Sequence, residues 1–145
     1  VTDAVKEVLI GAKPSTIFPF LSDPTMFVLW MGTDVSLLAE PGGEFSVLCR
    51  GTLPALGTFL EVVPDQKVVF TFGWDVPNHP IPAGSTTVEI TLTPHGDATL
   101  VRLVHSGLPD DALSDHLTGW SYYLARLDTV VNGGDPGPDT ANHED

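Results

Sequence analysis

Six short stretches between Val35 and Ser106 alternate apolar and polar side chains, and most of the breaks between them are too short to hold a helix. The stretches are Val35–Ala39, Glu44–Arg50, Thr58–Val63, Val68–Trp74, Thr86–Thr93 and Thr99–Ser106. The breaks are Pro41-Gly42-Gly43, residues 51–57, Pro64-Asp65, the proline-rich loop 75–85 and His95-Gly96-Asp97. A period of two marks half-buried strands. Strands joined by tight turns are antiparallel neighbours, because a parallel pair needs a long crossover. The alternation also assigns faces. Phe45, Val47 and Cys49 share one side of their strand, as do Val68, Phe70, Phe72 and Trp74, Val88, Ile90 and Leu92, and Thr99, Val101, Leu103 and His105. These rows predict a sheet with one strongly apolar face and one wetter face.

That apolar face needs a cover, and the C-terminal segment supplies it. Leu113, Leu117, Trp120, Leu124, Leu127 and Val131 recur at alternating steps of four and three, which draws one stripe along a helix of about six turns. Pro109, Asp110 and Asp111 suit its start, and Asn132-Gly133-Gly134 its stop. At the other end of the chain, Thr2–Ala12 reads as a strand with apolar residues on both faces. Pro14–Leu21 reads as a short helix and Pro24–Trp30 as a second, with Asp23 as its N-cap. Residues 1–131 are therefore expected to form one domain. Residues 132–145, acidic and rich in proline and glycine, are expected to be a disordered tail.

Charge removes several partners. The 145 residues carry 19 acidic and 6 basic side chains, a net charge of −13. Nucleic-acid binding is excluded by this balance, since it depends on clustered Lys and Arg. No apolar run is long enough for a membrane span. Residues 1–6 lack the charged-then-apolar pattern of a signal peptide, and Cys49 stands alone, so a cytoplasmic protein is expected.

Separated motifs now carry a resemblance. They are Ile10-Gly11-Ala12-Lys13-Pro14 followed by Ile17-Phe18 and Phe20-Leu21, Asp23-Pro24 with Trp30, and Pro41-Gly42-Gly43-Glu44-Phe45. Further along come Gly57-Thr58-Phe59-Leu60-Glu61-Val62-Val63-Pro64, the run Val68 to Trp74, Thr99 to His105 with Ser106-Gly107-Leu108-Pro109, and Gly119-Trp120 with Leu124 and Leu127. In order and spacing, over residues 3–131, the chain resembles the START-like superfamily, also called SRPBCC or birch-pollen-allergen-like. Within it, the chain is most similar to the family named after the activator of heat-shock-protein-90 ATPase. The resemblance implies an α+β helix-grip fold: a curved antiparallel β-sheet wrapped around a long C-terminal α-helix, with two short helices after the first strand. It also implies an apolar cavity between sheet and helix.

Such a cavity, of roughly 300–1,000 Å³, is expected to be lined by Trp30, Phe45, Phe59, Phe70, Phe72, Trp74, Leu103, His105, Trp120 and Leu124. For most of the aromatics, plain core filling is the simpler role. Trp74 and Trp120 rank highest as cavity positions, and Gly119 inside the helix suggests a close approach of backbone or ligand. His105 reads either as a polar anchor or general base, or as a histidine hydrogen-bonded at the sheet edge. Glu61, on the face of Phe59, His116 and Tyr123 are its candidate partners. His79, His95, His105, His116 and His143 show no metal-ligand spacing and Cys49 has no companion, so neither metal nor cofactor is expected.

The favoured function is the binding of a small hydrophobic molecule such as a lipid or polyketide. One alternative is a polyketide cyclase- or aromatase-like enzyme using His105 with Glu61 or Tyr123. Another is a co-chaperone-like or other protein-interaction module. An edge strand also leaves room for a homodimer.

Overall fold

Proline and glycine divide this chain into its elements, and the computed structural model describes residues 2–140 of it. Strand β1 (Thr2–Ile10) is followed by three single-turn helices, α1 (Pro14–Ile17), α2 (Pro19–Ser22) and α3 (Pro24–Phe27). Strands β2 (Asp34–Leu37), β3 (Glu44–Cys49), β4 (Leu53–Val63), β5 (Lys67–Phe72), β6 (Thr86–His95) and β7 (Ala98–Leu108) come next. A short 3-10 turn (Asp110–Ala112) then leads into the long helix α4 (Leu113–Val131).

All seven strands form one antiparallel sheet in the order β1-β7-β6-β5-β4-β3-β2. The first strand pairs with the last, so β1 and β2 lie at opposite edges and α1–α3 carry the chain between them. Register aligns one inward row across five strands: Ala4, His105, Val88, Phe70 and Phe59, every one buried. One polar ring therefore sits inside an otherwise apolar row.

The inward faces expected for β3, β5, β6 and β7 are the buried faces. In β1 the buried positions are Ala4 and Ile10, while Val5 and Leu9 face out. Other details differ from the sequence expectation for local reasons. The helix expected over 14–21 is two single turns, because Pro19 has no N–H to continue the ladder and starts α2 afresh. Asp23 caps α3 as expected, its Oδ1 accepting from Thr25 N–H at 2.9 Å. Strand β4 begins at Leu53 rather than at Thr58, because the turn before it takes only three residues, 50–52. Arg50 at φ 43 and Gly51 at φ 76 supply the paired positive φ of a tight hairpin. Within β4, Gly57 lies so close to β5 that an added Cβ would meet the Thr71 carbonyl at 1.7 Å.

The core lies between the concave sheet face and α4. Phe45 stacks on Phe70 at 4.1 Å between ring centres and meets Phe59 edge-on at 6.1 Å, while Phe72 packs on Trp120 at 5.8 Å. Of the predicted helix stripe, Trp120, Leu124 and Leu127 are buried; Tyr123 and Arg126 join them, while Leu113, Leu117 and Val131 pack at its margins.

The segment expected as a tail follows α4 directly. Residues 133–140 form no helix or strand, yet Asp139 is only 6% exposed and accepts a 2.8 Å hydrogen bond from the Tyr123 hydroxyl. Its lack of large apolar side chains concealed a polar docking. Residues 141–145 lie outside the described residues.

Phe45 contacts aromatic rings on three elements, so Phe45→Ala should lower unfolding free energy by about 3–5 kcal/mol. Urea denaturation followed by tryptophan fluorescence measures this, and a loss below about 1 kcal/mol would contradict a tightly filled aromatic layer.

Candidate functional site

His105 lies in the inward row between Ala4 and Val88 at 0% exposure, where a bare imidazole would be costly unless both nitrogens were paired. Both are. Its Nδ1 accepts from the Trp120 indole N–H at 3.0 Å, and its Nε2 lies 2.7 Å from Thr86 Oγ1. The Thr86 hydroxyl in turn donates to the Phe72 carbonyl at 2.6 Å. The indole can only donate and the threonine proton is committed, so His105 is the Nε2–H tautomer, donating to Thr86. Burial, reinforced by neighbouring His116, pushes its pKa down to about 3, so the ring is neutral near pH 7.

His116 lies one helical turn before Trp120, its ring 5.3 Å from that of His105. Its Nδ1 donates to the Ala112 carbonyl at 2.9 Å, leaving Nε2 to accept from the Trp74 indole N–H at 3.4 Å. Burial lowers its pKa as well. The result is a relay of polar contacts from the Phe72 carbonyl through Thr86, His105 and Trp120, with His116 and Trp74 beside it.

Trp74 follows β5 and is fixed by backbone pairing with the loop that returns beside it. Its N–H donates to Ile81 O at 2.9 Å, and it bridges to Ala55 and Pro82. Gly73 makes this approach feasible, since a Cβ there would meet the Pro82 carbonyl at 1.7 Å. The loop over 75–85 thus packs Ile81 into the core.

Between Trp74 and α4 a crevice remains, lined by Met31, Phe72, Trp74, His116, Gly119 and Trp120, together with Asp115 and Tyr123. Its free space is about 20 Å³, room for about one water. The large cavity implied by the resemblance is closed, because the aromatic side chains interlock across it. Phe72, Trp74 and Trp120 line the crevice, and His105 stands directly behind Trp120. Phe45, Phe59, Phe70, Leu103 and Leu124 are buried in the core away from it. Trp30 is also in the core, its indole donating to the Phe20 carbonyl at 2.7 Å.

Of the candidate partners, His116 lies against the His105 ring, whereas Glu61 and Tyr123 are turned to other groups. A register shift between Phe59 and Glu61 breaks the alternation, which turns Glu61 outward to a 3.1 Å ion pair with Lys67. Tyr123 directs its hydroxyl to Asp139, away from His105, and burial raises its pKa, keeping it a donor. Cys49 is buried as a free thiol, and burial pushes its pKa up to about 12, far from a reactive thiolate. Among the described residues no group of three His, Cys, Asp or Glu side chains is placed to hold a metal ion, and no helix is long and apolar enough to cross a membrane. Sequence reasoning passed over Thr86, Met31 and Asp139. Thr86 alone had a visible signal, as the first even position of the β6 row.

A curved antiparallel sheet closed on one long C-terminal helix defines the helix-grip class of the START-like superfamily. The chain belongs to the family described as activator of Hsp90 ATPase homolog 1-like protein, which it matches over residues 11–132. Similar solved structures include the AHSA1-like protein of Rhizobium etli, 37% identical over 99% of this chain and 90% of that one, with a TM-score of 0.72. A Mesorhizobium loti protein superposes with a TM-score of 0.82 at 20% identity, covering 92% of this chain and 99% of its own. The Aha1 dimer of Colwellia psychrerythraea has a TM-score of 0.79 at 20% identity, covering 92% and 98% respectively. No curated protein matches the chain significantly.

A depressed histidine pKa has a sign. The unfolded chain binds a proton on His105 below about pH 6.5, whereas the folded chain resists until about pH 3. Stability is therefore full above the first value and falls across the window down to the second, by up to about 1.4 kcal/mol per pH unit for this group. Urea denaturation across that window should show the slope, and His105→Gln should make it shallower. An unchanged slope in the variant would mean that His105 titrates normally.

Proposed function

We infer that the protein binds a small, largely apolar molecule carrying at least one hydrogen-bonding group, in the crevice between Trp74 and α4. The observation that supports this most is the composition of the crevice: aromatic walls from Phe72, Trp74 and Trp120 beside the ring of His116, the usual make-up of a small-molecule site. Gly119 adds no side chain to the crevice where it lines it.

The ligand makes its own room. With about 20 Å³ free, entry requires Trp74 to move off α4, and the contact to be broken is the 3.4 Å bond to His116, the longest in the relay. A ligand acceptor can then take the Trp74 indole N–H, and a ligand hydroxyl can donate to His116 Nε2. Lipids, polyketides and flavonoids all carry such groups on apolar frames, and burial of that frame supplies about 25 cal/mol per Å².

An acid–base role for His105 is less well supported, since its one lone pair is held by the Trp120 indole. The closed crevice favours one second reading, a protein-interaction module. Under it the partners are a chaperone, as the family description suggests, or a second copy, as in the Colwellia relative. Ligand-independent capture of the chaperone or dimerisation in light scattering, in either case unaffected by Trp74→Ala, distinguishes it.

Titration with fatty acids, flavonoids and aromatic polyketides, followed by tryptophan fluorescence, tests the favoured reading. Gly119→Ala should weaken binding by about tenfold while leaving the melting temperature equal or higher, since alanine adds only a methyl group and is the better helix former. If the panel leaves fluorescence and melting temperature unmoved, small-molecule binding is contradicted.

A further inference from the structure

The segment after α4 is irregular, yet it is held by buried polar contacts. One carboxylate oxygen of Asp139 accepts from Gly32 N–H at 3.1 Å, Arg50 N–H at 3.1 Å and the Tyr123 hydroxyl at 2.8 Å. Arg126, itself 6% exposed, donates through Nη1 to the carbonyls of Pro136 at 3.3 Å and Pro138 at 3.2 Å. Thr140 N–H donates to the Tyr122 hydroxyl at 2.9 Å. A buried carboxylate with three donors is a strong local clamp. The rest of the segment, Gly133-Gly134-Asp135-Pro136-Gly137-Pro138, brings little apolar surface.

The partners of this clamp are the supports of the crevice. Tyr123 lines it, as does Met31, the residue before Gly32. Arg126 Nε also donates to the Trp30 carbonyl at 2.8 Å, so it ties the same turn to α4. From behind the crevice, Asp139 and Arg126 thus join α4 to the connection between α3 and β2.

We propose that residues 133–140 are a releasable strap whose docking through Asp139 holds the crevice closed. Docked, it fixes Tyr123 and Met31 in the positions that leave room for one water. Undocked, it frees the Tyr123 ring and the Met31–Gly32 turn to move apart, and the crevice widens toward the core. Release is local, because few apolar contacts oppose it and no strand or helix has to unravel. Pro136 and Pro138 limit the conformations of the free segment, which favours redocking. The strap rests on the crevice as geometry; only the effect on a ligand rests on the binding proposed above.

Hydrogen exchange of full-length Asp139→Ala against the unaltered protein tests the docking. The Gly32 and Arg50 amides should exchange at least about tenfold faster, with β6 and β7 amides unchanged. Acrylamide should quench tryptophan more strongly in the variant, and anilinonaphthalene sulfonate should bind it several-fold more tightly. Tyr123→Phe, which keeps the ring and loses one donor, should show the same changes to a smaller degree and decides the matter if Asp139→Ala does not fold. Amides that stay protected in both variants overturn the strap. So do amides that are freed while tryptophan quenching stays the same. Stronger quenching with no dye binding to either protein would leave the strap standing and count against the ligand reading.

Discussion

One imidazole joins the two layers of this protein. His105 belongs to the sheet and Trp120 to the helix, and the 3.0 Å bond between them is made at a depth where water cannot replace it. Thr86 and the Phe72 carbonyl complete the pairing from the neighbouring strands. An unpaired ring at that place would oppose folding; paired, it fixes which turn of α4 lies over which row of the sheet. The position of Trp120 sets that of Phe72, His116 and Trp74, and with them the crevice. A group that looks like a general base by residue type thus acts as a structural pin.

The aromatic layer has the complementary effect. Phe45, Phe59, Phe70 and Phe72 sit edge-to-face and stacked across strands β3 to β5 and take up volume that a helix-grip fold can leave open. What remains lies at the margin, between Trp74 and the first half of α4. Function at this site is therefore tied to motion, since a ligand must displace an indole and a packed loop. The polar supports behind the crevice, from Asp139 and Arg126, set how far the opposite wall can yield.

Much of the architecture was legible in residue order. Period-two alternation assigned the inward faces of four strands, including His105, because side chains in a strand can point only two ways. The spacing of leucines with Trp120 identified α4. Prolines and bulges were harder to read. Pro19 splits a helix that apolar spacing alone would continue, and the irregularity after Phe59 turns Glu61 to solvent, since one extra residue inverts parity. Cavity volume was not legible at all, because it depends on how rings interlock rather than on which face they occupy. Asp139 was missed for a related reason: a short acidic, proline-containing segment looks solvent-loving until the donors that receive it, two backbone amides and a tyrosine, are brought together by the fold.

The direct test of His105 as a neutral pin is the protonation state of its ring, read by heteronuclear NMR of the imidazole nitrogens. The structure predicts a proton on Nε2, none on Nδ1, and no change between about pH 7 and about pH 5, well above the folded pKa of about 3. A proton on Nδ1, or a titration near the ordinary histidine value, would contradict the account.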